Sequence, residues 1–224
     1  MQPPKASLVR SALCLTTAYP RPSPTLFYYP GLESKPIYDT RRFAWADEMK
    51  RSLPTIRAEY EALKRVQTRS DYNTAENEHK LHMGKWDWHS YVTKGCRQTR
   101  FEKHCPRTSE LLQQVPSFMT DIPFAYAFFS TLSAQSSINP HSSPCNIRLR
   151  VHFPLYVPPK CTIRVADQVR EWQEGECLVF DDSYDHQVWN DHATDDRVVL
   201  LFDIWHPDLQ PAERTALIKM FQTQ

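Results

Sequence analysis

Strict alternation of polar and apolar residues over 147–155 is the feature that most constrains how this chain can fold. The segment reads IRLRVHFPL, which places Arg148, Arg150 and His152 on one face and aliphatic or aromatic residues on the other. A period of two is typical of a β-strand with chemically distinct faces. The polar face is therefore either solvated or part of the wall of a polar pocket, and the strand by itself leaves both interpretations open.

The segments that follow are also short, and turns separate them. The runs 161–165 (CTIRV) and 168–172 (QVREW) flank Ala166-Asp167, a spacing that is typical of a hairpin. A further strand is predicted at 177–180, and the almost wholly apolar run 198–205 is typical of a buried central strand. Short strands, tight turns and little helix in this half predict a mainly β protein whose architecture is a barrel or a jelly roll.

Helices are expected to flank this core. Residues 40–66 carry apolar residues at helical spacing, and Pro54 is expected to split them into two helices or to stand at the first position of the second. Pro211 is expected to begin a short C-terminal helix. The length of 224 residues fits one domain over 1–224. We expect it to consist of an N-terminal extension (1–25), helical and loop support (27–104) and a jelly-roll core (105–224).

Two histidines lie near the ends of predicted strands. His141 stands in a turn-rich segment before the alternating strand, and His186 follows the strand predicted at 177–180. Neutral imidazole is the commonest ligand for transition metals, including iron, zinc and copper. A typical non-haem iron(II) site adds a carboxylate, expected here two residues after the first histidine, but that residue is Ser143. From spacing alone, a structural role for the two histidines is the better interpretation.

Three longer segments of the chain resemble the aspartyl/asparaginyl β-hydroxylases, which are Fe(II)- and 2-oxoglutarate-dependent oxygenases with a double-stranded β-helix fold. These segments are 141–152, 171–190 (EWQEGECLVFDDSYDHQVWN) and 197–209 (RVVLLFDIWHPDL). The stretches 27–39 and 105–116 also fit, so the resemblance extends over about residues 27–215. It implies a dioxygenase that uses Fe(II), 2-oxoglutarate and O2 to hydroxylate an aliphatic carbon, with release of succinate and CO2.

The resemblance also assigns roles to individual residues. His141 and His186 match the iron-binding histidines, and Ser143 matches the small neutral residue that this family has in place of the carboxylate, so water is expected to complete the iron shell. Arg197 and Ser130 match the residues that bind the distal carboxylate of 2-oxoglutarate. An arginine that opens an apolar strand needs such an anion, because burying an unpaired guanidinium costs several kcal/mol.

The remaining assignments concern the pocket wall. By resemblance, Arg150 and His152 line the cosubstrate and substrate pocket, and Arg150 joins the two histidines as a catalytic residue. Arg148, on the same face, and Trp86 or Trp88 are expected to contact the substrate. The three basic side chains would then form a cationic wall, suited to an anionic or polar substrate such as an amino acid, a short peptide or another small metabolite. Either Asp182 or Asp185 could orient the imidazole of His186, and the sequence does not decide between them.

Composition excludes other classes of partner. The formal net charge of +1, with no basic run that carries interleaved aromatic residues, argues against nucleic acid, and no apolar stretch is long enough to span a bilayer. The six cysteines are expected to be buried thiols in the cytoplasm, with organelle targeting by the N-terminal extension and a Cys96–Cys105 bridge as open alternatives. The oligomeric state is also open.

The alternative function is a non-catalytic jelly-roll metal- or ligand-binding protein, which the joint presence of the matched residues disfavours.

Overall fold

Twelve strands arranged in two antiparallel sheets dominate the computed structural model, which describes residues 20–72 and 81–222. The strands are β1 (Ile37–Tyr38), β2 (His82–Met83), β3 (Trp86–Thr93), β4 (Cys96–Arg97), β5 (Ala127–Leu132), β6 (Ser136–His141), β7 (Arg148–Tyr156), β8 (Cys161–Val165), β9 (Gln168–Glu171), β10 (Leu178–Phe180), β11 (His186–Asn190) and β12 (Arg197–Trp205). The seven-stranded sheet has the order β1-β10-β7-β12-β5-β3-β4, and the five-stranded sheet has the order β2-β6-β11-β8-β9. The predicted double-stranded β-helix, or jelly roll, is confirmed.

The described residues include two helices before β2, two between β4 and β5, and one after β12. They are α1 (Ala46–Arg51), α2 (Leu53–Val66), α3 (Thr99–His104), α4 (Pro106–Gln114) and α5 (Pro211–Gln222). Pro54 stands in the first turn of α2, where its missing N–H breaks no hydrogen bond. Ile56 and Leu63 of α2 are fully buried, and each contributes about 1.5–3 kcal/mol. The ring of Tyr60, one turn after Ile56, packs edge-on against Phe129 of β5, so α2 supports the seven-stranded sheet.

The two faces of β7 belong to different layers, and this settles the question that the alternating pattern left open. Leu149, Val151 and Phe153 pack in the hydrophobic core that the seven-stranded sheet shares with the helices. The opposite face, with Arg148, Arg150 and His152, points towards the second core, which lies between the two sheets. The polar face is therefore inside the jelly roll and is not a solvated surface.

The predicted boundary of the jelly-roll core at residue 105 is too late in the chain. β3 lies in the region expected to be helical and loop support, yet it pairs with β5 over six residue pairs inside the seven-stranded sheet. β1 pairs with β10, and β2 pairs with β6. The sequence around β3 is rich in charged and polar residues, so its short alternating pattern does not stand out from a loop.

Two further expectations concern the termini and the cysteines. Residues 1–19, which carry most of the N-terminal extension and Cys14, lie outside the described residues. Of the described cysteines, Cys96 is exposed, Cys105 is buried, and both are free thiols, so no bridge joins them. Within 20–72 and 81–222, no helix combines the length and the apolar character needed to cross a bilayer.

Candidate active site

His141 and His186 meet in the space between the two sheets. His141 ends β6 and His186 begins β11, and the two residues are direct partners in the antiparallel pairing of these strands. Their ring centroids are 4.1 Å apart, and His186 is almost completely buried. Residues 45 positions apart in sequence are therefore neighbours, because the two strands that carry them pair in this register.

Backbone carbonyl groups fix the orientation of both imidazole rings. The Nδ1 of His141 lies 2.7 Å from the carbonyl oxygen of Asn139, and the Nδ1 of His186 lies 2.9 Å from that of Tyr184. A carbonyl oxygen only accepts hydrogen bonds, so each Nδ1 carries the hydrogen and donates it. This leaves the lone pair of Nε2 on each ring free to bind a metal, the arrangement usual for metal-bound histidine.

Neither of the carboxylates considered for His186 orients its ring. Asp185 pairs instead with Arg164 at 2.6 Å, and Asp182 belongs to a buried ion cluster described below. Burial, followed by repulsion from His141, lowers the pKa of His186 to about 3, and burial also lowers the pKa of His141. Both imidazoles are therefore neutral at neutral pH, the form in which histidine binds a metal ion.

Ser143 is not placed to act as a third protein ligand. Its hydroxyl donates to the carbonyl oxygen of Cys145 at 2.6 Å, and its amide donates to that of Asp182 at 2.7 Å. Both groups therefore hold the turn after His141. Across the described ranges, no set of three or more His, Cys, Asp or Glu side chains is grouped to hold a metal ion. The two histidines are the metal-binding side chains that the fold offers at this position.

Arg148 and Arg150 are neutralised by two aspartates, so the predicted cationic wall is wrong. Arg148 reaches Asp182 at 2.6 Å and Asp203 at 3.1 Å, and it also donates to the carbonyl of Phe124. Arg150 reaches the same two carboxylates at 3.1 and 2.9 Å. We call these two arginines and two aspartates the buried ion cluster, and its formal charge is zero.

The buried ion cluster has strong electrostatic consequences for its members. Although burial opposes the ionised form, the neighbouring guanidinium groups hold the pKa of Asp182 well below its usual range. Sequence reasoning considered Asp182 only as a partner of His186, and it missed Asp203. The signal for Asp203 was an acidic residue inside the apolar run 198–205, where a buried charge requires a partner. Its partner is set by register, because Asp203 faces Arg150 across the β12–β7 pair.

Arg197 is the opposite case, a buried arginine that has no counter-ion among the residues that the structure describes. It is 1% exposed, and none of its three guanidinium nitrogens has a hydrogen-bond partner among residues 20–72 and 81–222. Burial lowers its pKa to about 10, so it remains a cation at neutral pH. Such a charge costs several kcal/mol unless it is paired. The site therefore calls for an anion, and the described residues do not supply one.

Ser130 and Trp86 lie on neighbouring strands beside this position. Ser130 faces Val199 across the β5–β12 pair, and Val199 is two residues from Arg197 and on the same face of β12. The hydroxyl oxygen of Ser130 accepts a hydrogen bond from the indole nitrogen of Trp86 at 2.8 Å. The hydrogen of this hydroxyl is therefore left to be donated to a ligand.

A cavity of about 270 Å³ opens beside the two histidines. His152 lies in the wall of this cavity. Burial and the charge of Arg197 lower the pKa of His152, so its imidazole is neutral. Apart from the histidines and the ion cluster, most of the wall is aromatic or aliphatic. These apolar lining residues are Tyr72, Leu81, Trp86, Trp88, Tyr126, Phe128, Ile138, Val188 and Leu201. Trp88 stacks on Phe128 with ring centroids 4.0 Å apart, so both predicted tryptophans reach the cavity.

Residues 50–207 match the family model described as Aspartyl/Asparaginyl beta-hydroxylase. Aspartate beta-hydroxylase domain-containing protein 2 of Xenopus tropicalis is 31% identical over 208 residues, which cover 90% of this chain and 56% of that protein. Ornithine lipid ester-linked acyl 2-hydroxylase of Rhizobium tropici is 35% identical over 190 residues, with coverage of 82% and 65%. The human aspartyl/asparaginyl beta-hydroxylase is 30% identical over 197 residues, with coverage of 86% and 26%. The chain thus spans less than two thirds of the length of each of these relatives. The match over residues 50–207 shows that the chain belongs to the aspartyl/asparaginyl β-hydroxylase family.

Proposed function

We propose that this protein is an Fe(II)- and 2-oxoglutarate-dependent dioxygenase that hydroxylates an aliphatic carbon and releases succinate and CO2. Membership of a hydroxylase family supports the reaction class. The observation that carries the proposal is a combination of two features between the sheets. One is a pair of neutral imidazoles with free Nε2 atoms, and the other is a buried arginine that lacks an anion within the described ranges.

The donor set fits iron(II). His141 and His186 offer two neutral nitrogen ligands, a ligand type that suits iron, and leave most of the metal's coordination positions to other ligands. When bound, iron(II) and 2-oxoglutarate together activate O2 for oxidation of an unactivated C–H bond. The role of the chain is to hold the two imidazoles in one orientation, which the carbonyls of Asn139 and Tyr184 achieve.

The chain also fits the distal carboxylate of 2-oxoglutarate. The planar guanidinium of Arg197 can donate two parallel hydrogen bonds to a carboxylate, which a lysine cannot reproduce. The hydroxyl of Ser130 retains a hydrogen to donate, because its oxygen accepts from Trp86. A carboxylate bound here would satisfy the cation that burial leaves uncompensated, so cosubstrate binding should stabilise the folded protein.

The substrate that fits the cavity best carries an apolar chain next to the carbon that is oxidised. Because the buried ion cluster is neutral, Arg148 and Arg150 do not give the cavity unpaired cations for an anionic substrate. Its apolar lining favours an alkyl or acyl chain or an apolar side chain. A relative that is 35% identical is named as an acyl 2-hydroxylase, which is consistent with this class. Trp86 and Trp88 would contact such a chain.

The test is succinate formation from 2-oxoglutarate by the full chain with Fe(II) and ascorbate. Pools of acyl compounds, amino acids and peptides that contain Asp or Asn would be compared, with 2-oxoglutarate binding measured on the same samples. We expect turnover in the wild type, loss in His186→Ala and Arg197→Ala, and no loss in Arg170→Ala, which alters an exposed arginine of β9. Absence of 2-oxoglutarate binding by the wild type would contradict the proposal and favour the non-catalytic jelly-roll protein.

A further inference from the structure

Trp172, which has no role in the mechanism above, lies against Arg197. It follows β9 directly and is 7% exposed. The guanidinium carbon of Arg197 lies over its ring, 5.2 Å from the ring centroid. On β7, the ring of His152 stacks against the same indole with centroids 5.8 Å apart and an interplanar angle of 30°. Trp172 is thus in contact with both the buried cation and an imidazole of the cavity wall.

The nitrogen atoms of Trp172 and Arg197 are buried donors without acceptors among the residues that the structure describes. The indole nitrogen of Trp172 is buried, and, like the three guanidinium nitrogens of Arg197, it has no hydrogen-bond partner in the part of the chain that the structure describes. Indole and guanidinium nitrogens are donors only, so these four atoms cannot satisfy one another. Buried donors are normally paired, because each unpaired donor costs about 1–3 kcal/mol. The group therefore calls for an acceptor from outside the part of the chain that the structure describes.

The missing acceptor must have several lone pairs in a small volume. A carboxylate has two oxygens with about four acceptor positions, enough to take hydrogen bonds from a guanidinium and an indole together. The ring of Trp172 also constrains the guanidinium through a cation–π contact, which would hold its donors in place before the anion arrives.

We infer that Trp172 is a binding residue for the distal carboxylate of 2-oxoglutarate, to which its indole N–H donates a hydrogen bond beside Arg197. This inference rests on the proposed function and adds a donor to that site. It predicts a specific dependence on the ligand. Loss of the indole N–H should weaken only those 2-oxo acids that carry a distal carboxylate.

The experiment compares two ligands on three forms of the full chain. Zn(II) replaces Fe(II) so that ligand binding is measured by calorimetry without turnover. The ligands are 2-oxoglutarate and 2-oxopentanoate, which has the same chain length but lacks the distal carboxylate. Trp172→Phe retains an aromatic ring over Arg197 and removes the N–H. Trp189→Phe is the matched control, since Trp189 alternates with the buried residues of β11 and points to the other face of that strand.

We expect the dissociation constant of 2-oxoglutarate to rise about tenfold or more in Trp172→Phe. This is the change expected when one hydrogen bond to a charged group is lost. It should be unchanged in Trp189→Phe, and 2-oxopentanoate should bind equally to all three forms. Wild-type affinity for 2-oxoglutarate in Trp172→Phe would overturn the inference and leave the proposed function intact. An equal loss for both ligands would also overturn it, because Trp172 would then act only by packing. No binding by the wild type would remove both proposals.

A second measurement does not depend on the variant being folded. The chain has six tryptophans, so the nitrogen-15 spectrum of the wild type should show six indole N–H resonances. One of them should move strongly downfield with 2-oxoglutarate and Zn(II), and not with 2-oxopentanoate and Zn(II). If no indole resonance distinguishes the two ligands, the hydrogen bond does not form and the inference fails.

Discussion

The two buried arginines of the site should respond to the same substitution with opposite signs. Arg197 and Arg148 are 1% and 3% exposed, so replacing either by methionine removes a buried charge. Arg148 has two carboxylate partners, whereas Arg197 has no hydrogen-bond partner within residues 20–72 and 81–222. We therefore expect Arg197→Met to stabilise the ligand-free protein and Arg148→Met to destabilise it.

The magnitudes follow from burial and pairing. Burial lowers the pKa of Arg197 from 12.5 to about 10, which corresponds to about 3 kcal/mol against the charged form. The contact with Trp172 offsets about 1–2 kcal/mol of this. The net gain in Arg197→Met is then about 1–2 kcal/mol, or a rise in Tm of about 2–8 °C for a chain of this size. Arg148→Met leaves two buried carboxylates short of a partner and should cost about 3–5 kcal/mol.

The assay is thermal unfolding of metal-free protein with and without 2-oxoglutarate and Zn(II). Without ligand, the Tm values should follow the order Arg197→Met, wild type, Arg148→Met, from highest to lowest. With ligand at 100 times its dissociation constant, the wild type should gain about 2.7 kcal/mol, and Arg197→Met should gain none from 2-oxoglutarate. A ligand-free Arg197→Met variant that unfolds below the wild type would refute the reasoning, because its guanidinium would then have a stabilising partner in the free protein.

Three further predictions test other parts of the site. His186→Ala should weaken Co(II) binding by more than about 100-fold, since it removes one of only two metal-binding side chains that the described fold offers; unchanged visible absorption of bound Co(II) would contradict this. Asp203→Asn should lower the free energy of unfolding, measured by chemical denaturation, by about 3–5 kcal/mol, because the buried ion cluster gains a net positive charge. The control Asp208→Asn, at an exposed carboxylate, should change this free energy little. Burial raises the pKa of Asp181 from 3.8 to about 7 despite hydrogen bonds from Ser183, so the folded state binds this proton more tightly than the unfolded state. Its contribution to stability is complete below pH 3.8 and is lost as the pH rises through 7, by at most about 4 kcal/mol. Asp181→Asn should remove this part of the pH dependence in denaturant titrations, and an unaltered profile would show that Asp181 ionises normally.

Local pattern was sufficient for features that depend on neighbours in sequence. The alternation at 147–155 predicted β7, the apolar run at 198–205 predicted β12, and Pro54 marked the start of α2. Each follows from backbone and side-chain periodicity, which acts over a few residues. The strand β3 was missed, although resemblance had singled out its two tryptophans, because a short strand inside a polar segment carries too little periodic signal to compete with a loop.

Resemblance to a family extended the prediction to the identity of the site. His141, His186, Arg197 and Ser130 were predicted on matched segments, and the structure brings the two histidines into contact and leaves Arg197 buried without an anion in the described chain. The roles of these residues remain predictions that the experiments above test. Trp172 was inside a matched segment but had no assigned role, because its position against Arg197 depends on how β9 and β12 are placed in space.

The sequence by itself determined which residues are polar, the strands β7, β8, β9, β10 and β12, and the two distinct faces of β7. Only the tertiary structure decided the electrostatics. Asp203 stands opposite Arg150 because β12 pairs with β7 in one register, and a shift of one residue would turn its carboxylate to the other face of the sheet. Charge pairing and imidazole orientation depend on such non-local contacts, and these form only when the sheets are assembled.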